Sequence, residues 1–119
     1  MNPNIQDRTF HFAEKILDAY FLLREGNHFR LADQLVGAGT SIGANVEEAQ
    51  AAHSKADFIS KMVIANKEAR ESRYWLRLLD RKKLLEDYSD MNFLKSEIEE
   101  IILVINAIIK KSRQNLNSL

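Results

Sequence analysis

Cysteine is absent from the 119 residues, so the chain can form no disulfide and offers no thiolate to a metal or a redox reaction. Proline occurs once, at Pro3, and glycine only four times, which leaves long stretches with nothing to break a helix. Long apolar runs are missing too. The longest, Ile101 to Ile105, falls far short of the ~20 residues that cross a bilayer, so no membrane span is expected. Residues Met1 to Phe10 lack a basic start followed by an apolar stretch, so no secretory signal is expected and the predicted compartment is the cytoplasm. Net charge is nil, with 17 basic groups against 17 acidic.

What is present is 45% hydrophobic and 29% charged, the mixture of a folded globular chain rather than a disordered one. The length suits one domain with a real core, so residues 1–119 are read as a single unit. Apolar residues recur at helical spacing in four segments, over about residues 5–24, 29–52, 55–85 and 90–113. In the first, Phe12, Ile16, Ala19 and Leu23 form one stripe, and Gly26-Asn27 supplies a left-handed stop. In the second, Leu31, Leu35, Ala38, Ile42, Ala49 and Ala52 face inward. The third is capped by Ser54 with Asp57 three residues on, and carries the seam Phe58, Met62, Ala65, Ala69, Ser72, Leu76, Leu79. Residues Glu86 to Ser89 read as a connection, and Gln114 to Leu119 as a tail beyond the fourth helix. Long helices joined by short loops predict an all-α, antiparallel up-down four-helix bundle.

The fourth segment is apolar nearly all round near residues 101–105. Leu94, Ile98, Ile101, Ile102, Ile105 and Ile109 are therefore expected to leave a greasy belt for another copy of the chain to cover.

Charge is unevenly spread. Residues 55–83 carry nine basic and four acidic groups, whereas residues 84–100 carry one basic and six acidic. Arg70, Arg73, Arg77 and Arg81 step by three, four and four, line one helical face and lead to Lys82-Lys83. The planar guanidinium suits phosphate, so this row is the candidate nucleic-acid contact. The same row would also pair well with Glu97, Glu99 and Glu100 on a neighbouring helix or subunit, as an assembly device.

Catalytic signals are poor. Gly37, Gly39 and Gly43 match no phosphate-loop spacing and follow no strand, so they read as a close helix–helix approach. Ser41, Asn45 and Glu48 share one face, and Glu68 and Glu71 lie beside Trp75 on another. If those faces meet, the five form a buried polar network that fixes helix register. The sharper alternative, a carboxylate metal site, needs Glu-x-x-His on two helices. The chain offers only Glu25-Gly-Asn-His28, across a helix break. His11, His28 and His53 are scattered. No catalytic residue, metal or cofactor is expected.

Three stretches in order carry a resemblance: Gln34 to Ala49 (QLVGAGTSIGANVEEA), Ser54 to Phe58 (SKADF) and Ile64 to Leu79 (IANKEARESRYWLRLL). Together they resemble the four-helix-bundle proteins encoded in intervening sequences of bacterial 23S rRNA genes, over roughly residues 10–110. Many of those proteins carry basic residues where this chain has Val36-Gly37, and Glu-Gly where it has Glu48-Ala49. The resemblance implies a bundle assembled as a barrel-like homopentamer without enzymatic activity. A related branch comprises the accessory variability proteins of diversity-generating retroelements, which work with a reverse transcriptase and nucleic acid. The expected role is thus a non-enzymatic, homo-oligomeric accessory or scaffold protein associated with RNA or a nucleoprotein complex. The alternatives are an interaction module for a reverse transcriptase that touches no nucleic acid itself, and a metal-binding bundle enzyme.

Overall fold

The first helix begins where an asparagine can satisfy its free amides: Asn4 accepts a hydrogen bond from Asp7 N at 2.8 Å and opens α1, Ile5–Glu25. A computed structural model describes residues 4–117, and it continues with α2 (Phe29–Gln50), α3 (Lys55–Arg81) and α4 (Met91–Asn117). No strand occurs among the described residues.

Local chemistry sets the ends. Asn27 takes a left-handed φ of 65°, and His28 N then reaches Leu23 O at 2.9 Å, closing α1. Lys83 does the same for α3 at φ 59°, with Leu84 N on Leu79 O at 3.0 Å. This left-handed residue stops α3 four residues short of the expected Leu85. Ser54 caps α3 by accepting from Asp57 N at 3.1 Å, while the Asp57 carboxylate accepts from His53 N at 3.3 Å, one residue outside the expected capping box. α2 ends at Gln50 rather than Ala52, and α4 runs past Arg113 to Asn117; the last two residues of the expected tail lie outside the described residues.

Contacts between helices give the topology. Thr9 faces Gly43 and Ile16 faces Gly39 between α1 and α2. Asn66 bonds Asn106, Arg73 pairs with Glu99, and Asp80 with Lys95 between α3 and α4. Arg8 pairs with Glu97, and Lys15 with Asp90, between α1 and the start of α4. In each series one number rises as the other falls, so these neighbours run antiparallel. Each helix packs on its sequence neighbours, α4 closes against α1, and no diagonal pair approaches closely. The bundle measures 53 × 26 × 22 Å.

The core holds Phe12, Ile16, Ala19 and Leu23 of α1, and Met62, Ala65, Ala69, Ser72, Leu76 and Leu79 of α3, as predicted; at the start of the α3 seam Ile59 is buried and the expected Phe58 is only half-buried. In α2, Val46 and Ala32 join Leu35, Ala38, Ile42 and Ala49, while Leu31 and Ala52 are only half-buried. α4 departs from expectation. Leu94, Ile98, Ile101, Ile102, Ile105 and Ile109 are all buried within the subunit, at 0–7% exposure. They occupy a stripe about 100° wide, the ordinary face of a core helix. A side chain already removed from water within the subunit has little surface left to offer a partner. Among the described residues of α4, Leu103 is 63% exposed, and Phe93, Val104 and Ile108 are half-buried.

Candidate nucleic-acid interface

α3 positions the basic row because its seam points the opposite way. With Met62 through Leu79 locked into the core, residues three and four apart on the far side of the helix must face out. Arg70, Arg77, Arg81, Lys82 and Lys83 are all exposed, and none of them makes an ion pair among the described residues. Arg73 differs: it lies nearer α4, half-buried, and donates to Glu99 at 3.4 Å.

Two of the neighbouring acids are engaged elsewhere, whereas Glu71, Glu86, Asp87 and Glu100 make no ion pair among the described residues. Asp80 accepts from Lys95 at 2.8 Å. Glu97 accepts a two-pronged contact from Arg8, Nε at 3.0 Å and Nη2 at 2.7 Å. That contact, with nearby Glu100, holds the Arg8 guanidinium proton above its ordinary range. The fork joins α1 to α4 and leaves Glu97 unable to answer the α3 arginines. Of the expected pairing between the arginine row and the acids of α4, only Arg73–Glu99 is present within the subunit.

Where the row turns toward the end of α3, Tyr74, Arg77, Leu78 and Arg81 line a shallow cleft of about 220 Å³. Tyr74 is 55% exposed, and its ring stands edge-on to Trp75 with centroids 5.0 Å apart. Tyr74 lies off the apolar seam, so burial periodicity does not mark it. Its spacing from Arg70 and Arg77, four and three residues, was the available signal.

Among the described residues, the five polar residues expected to share a buried network make no side-chain to side-chain hydrogen bond with one another, and none joins α2 to α3. Ser41 donates to Gly37 O at 2.5 Å and Asn45 to Ser41 O at 2.8 Å, both within α2. Short polar side chains in a helix readily turn back onto the preceding turn in this way. Glu48 and Glu71 are exposed. Glu68 is half-buried, and burial, reinforced by the charge of Glu71 and offset by Lys67, pushes its carboxyl above the usual range. The enclosed Trp75 Nε1 finds no acceptor among the described residues.

Nor do the described residues bring together three or more His, Asp or Glu in a group able to hold a metal ion. No helix among them is long and apolar enough to cross a membrane. The glycines divide as their surroundings dictate. A Cβ on Gly39 would meet Ile16 at 2.8 Å and one on Gly43 would meet Thr9 at 3.3 Å, so these two permit α1 and α2 to approach; Gly37 faces open space.

The exposed apolar surface that does exist lies mainly on the outer faces of α1 and α2. Phe10 and Phe21 are 64% and 58% exposed, with Leu17 between them and Phe29 beyond the turn. Beside Phe10 a cleft of about 280 Å³ runs between the helices, lined by Ala13, Thr40, Gly43 and Ala44. The stripe Phe10, Leu17, Phe21 steps by seven and four, and was legible in that spacing.

Comparison with known proteins agrees with this geometry. A family model described as 23S rRNA-intervening sequence protein matches residues 2–107. A crystal structure of a protein of unknown function from the S23 ribosomal protein family of Bacteroides thetaiotaomicron VPI-5482 is 39% identical, with a TM-score of 0.84. The match covers 90% of this chain and 99% of that one. No curated protein matches.

Proposed function

The chain belongs to the 23S rRNA-intervening sequence protein family, and from that premise we propose that it is a non-enzymatic, homo-oligomeric accessory or scaffold protein that associates with RNA through α3. One observation carries this reading. Five basic side chains, Arg70, Arg77 and Arg81 of α3 and Lys82 and Lys83 just past its end, stand exposed and make no ion pair among the described residues, while nearby Asp80 and Glu97 pair with Lys95 and Arg8. Unpaired cations in a row are the electrostatic footprint of a phosphate backbone. Assembly multiplies the effect: a ring of copies, pentameric as the family resemblance implies, repeats a modest patch around its rim, and linked weak contacts add. The apolar surface for that assembly is the Phe10–Leu17–Phe21–Phe29 face of α1 and α2, which exposes more apolar side chain than α4 does. The setting is the cytoplasm, where RNA and a cysteine-free chain are both at home.

The Arg73–Glu99 pair favours a second reading, in which the charges join protein surfaces and the chain serves a partner such as a reverse transcriptase without touching nucleic acid. One gel-shift experiment separates the two. Arg77→Glu with Arg81→Glu abolishes retardation of a structured RNA, with circular dichroism and light-scattering mass unchanged, if α3 contacts phosphate. Loss of the oligomer in that variant supports the second reading.

A further inference from the structure

We propose that the α3 face selects single-stranded over duplex RNA, with Tyr74 as the stacking platform. This rests on the RNA-binding reading above and specifies its ligand. A phosphate-tracking row needs only cations. The α3 face adds an aromatic ring among them: Tyr74 is 55% exposed, four residues after Arg70 and three before Arg77, and shares a cleft with Arg77, Leu78 and Arg81.

No hydrogen bond within the chain holds the Tyr74 hydroxyl among the described residues, so that end of the ring stays open to a ligand. It is nevertheless braced. Trp75 abuts it edge-on at 5.0 Å, and Leu78 floors the cleft one turn on, so little ordering remains to be done when a base arrives. The cleft, about 220 Å³, is open and shallow, with room for one planar ring and no enclosed pocket for a particular base. That geometry stacks any unpaired base while Arg77 and Arg81 meet the flanking phosphates. In a duplex the base faces are already stacked on each other and unavailable to an external ring, so duplex RNA can use only the arginines.

The test uses the full chain and two fluorescein-labelled probes, a 12-nucleotide oligo(U) and a 12-base-pair RNA duplex, titrated at one salt concentration. Oligo(U) should bind more tightly than the duplex. Tyr74→Ala should weaken oligo(U) roughly tenfold or more and leave the duplex unchanged, while Tyr74→Phe keeps wild-type binding. Trp75 is the only tryptophan, so its emission should respond to oligo(U) in the wild type and lose that response in Tyr74→Ala. Equal loss on both probes, or none on oligo(U), overturns the stacking role. If Arg77→Glu with Arg81→Glu weakens both probes in that case, the RNA-binding reading survives it. If that variant weakens neither, both fall together. A change of solution mass in Tyr74→Ala would mark the face as a contact between copies and also overturn the proposal.

Discussion

Tyr88 donates its hydroxyl hydrogen to the backbone carbonyl of Lys15 at 2.9 Å, tying the α3–α4 connection to the middle of α1. The Lys15 ammonium in turn reaches Asp90 at 2.9 Å, and that contact raises the lysine above its ordinary range. A connection that reads in sequence as a plain polar turn is therefore anchored at two points.

Tyr88→Phe should cost about 1 kcal/mol of stability at neutral pH, the usual worth of one such bond. The pH dependence is more diagnostic. Burial, aided by the charges of Asp18 and Asp90, pushes the Tyr88 hydroxyl from 10.0 up to about 12. The folded chain holds this proton more tightly than the unfolded one, so the contribution is complete below about pH 10 and is lost as pH rises towards about 12. In urea titrations the gap between wild type and Tyr88→Phe should stay constant from pH 8 to about pH 10 and narrow as the pH rises from there towards about 12. A gap that stays constant up to about pH 12 would refute the buried-hydroxyl account.

Two glycines of α2 should answer alanine with opposite signs. Gly37 faces open space in a helix, so Gly37→Ala should stabilise by about 1 kcal/mol. Gly39→Ala would drive a methyl against buried Ile16 at 2.8 Å and should destabilise by about 1–3 kcal/mol. Melting curves of the two variants decide this.

Glu68 is held in an environment that favours its neutral form, with Glu71 adding to the effect. A carboxyl whose folded pKa is raised loses stability as pH climbs through its titration range. Glu68→Gln should therefore be more stable than wild type at pH 7, with the advantage closing as the pH falls below the carboxyl's range. An advantage that persists at pH 3 would show that something other than ionisation is responsible.

Core and surface apolar residues should separate cleanly. Ile101→Ala removes a fully buried side chain and should cost about 2–5 kcal/mol. Phe21→Ala, at an exposed position, should change folding stability by within about 0.5 kcal/mol yet lower the solution mass measured by light scattering. A fully assembled Phe21→Ala protein would remove the α1–α2 face from the assembly.

Much of the fold was legible because helical periodicity speaks directly of burial. The α1 stripe, the α3 seam from Met62 onward and the Ser54 cap are local statements about spacing and hydrogen bonding, and they stand where the residues put them. Hydrophobicity alone does not say which side of the subunit boundary an apolar residue lies on. Ile102 and Leu103 are adjacent and equally greasy, yet one is buried and the other outside, because α4 sits between α1 and α3. The polar residues of α2 and α3 misled for a related reason. Ser41 and Asn45 had partners available one turn back in their own helix, and nothing in a sequence weighs that option against a neighbour across the bundle. Tyr74 lies off the apolar seam, and its meaning depends on the arginines four residues before and three after it.

The dependence of RNA affinity on salt tests the α3 face most directly. Each phosphate neutralised on a single strand adds about 0.7 to the slope of log K against log salt. Replacing Arg77 and Arg81 by glutamine should flatten the wild-type slope for oligo(U) by about 1.4 and leave the helical content unchanged. Identical slopes for wild type and variant would mean that these arginines meet no phosphate, and the proposed function would fail with them.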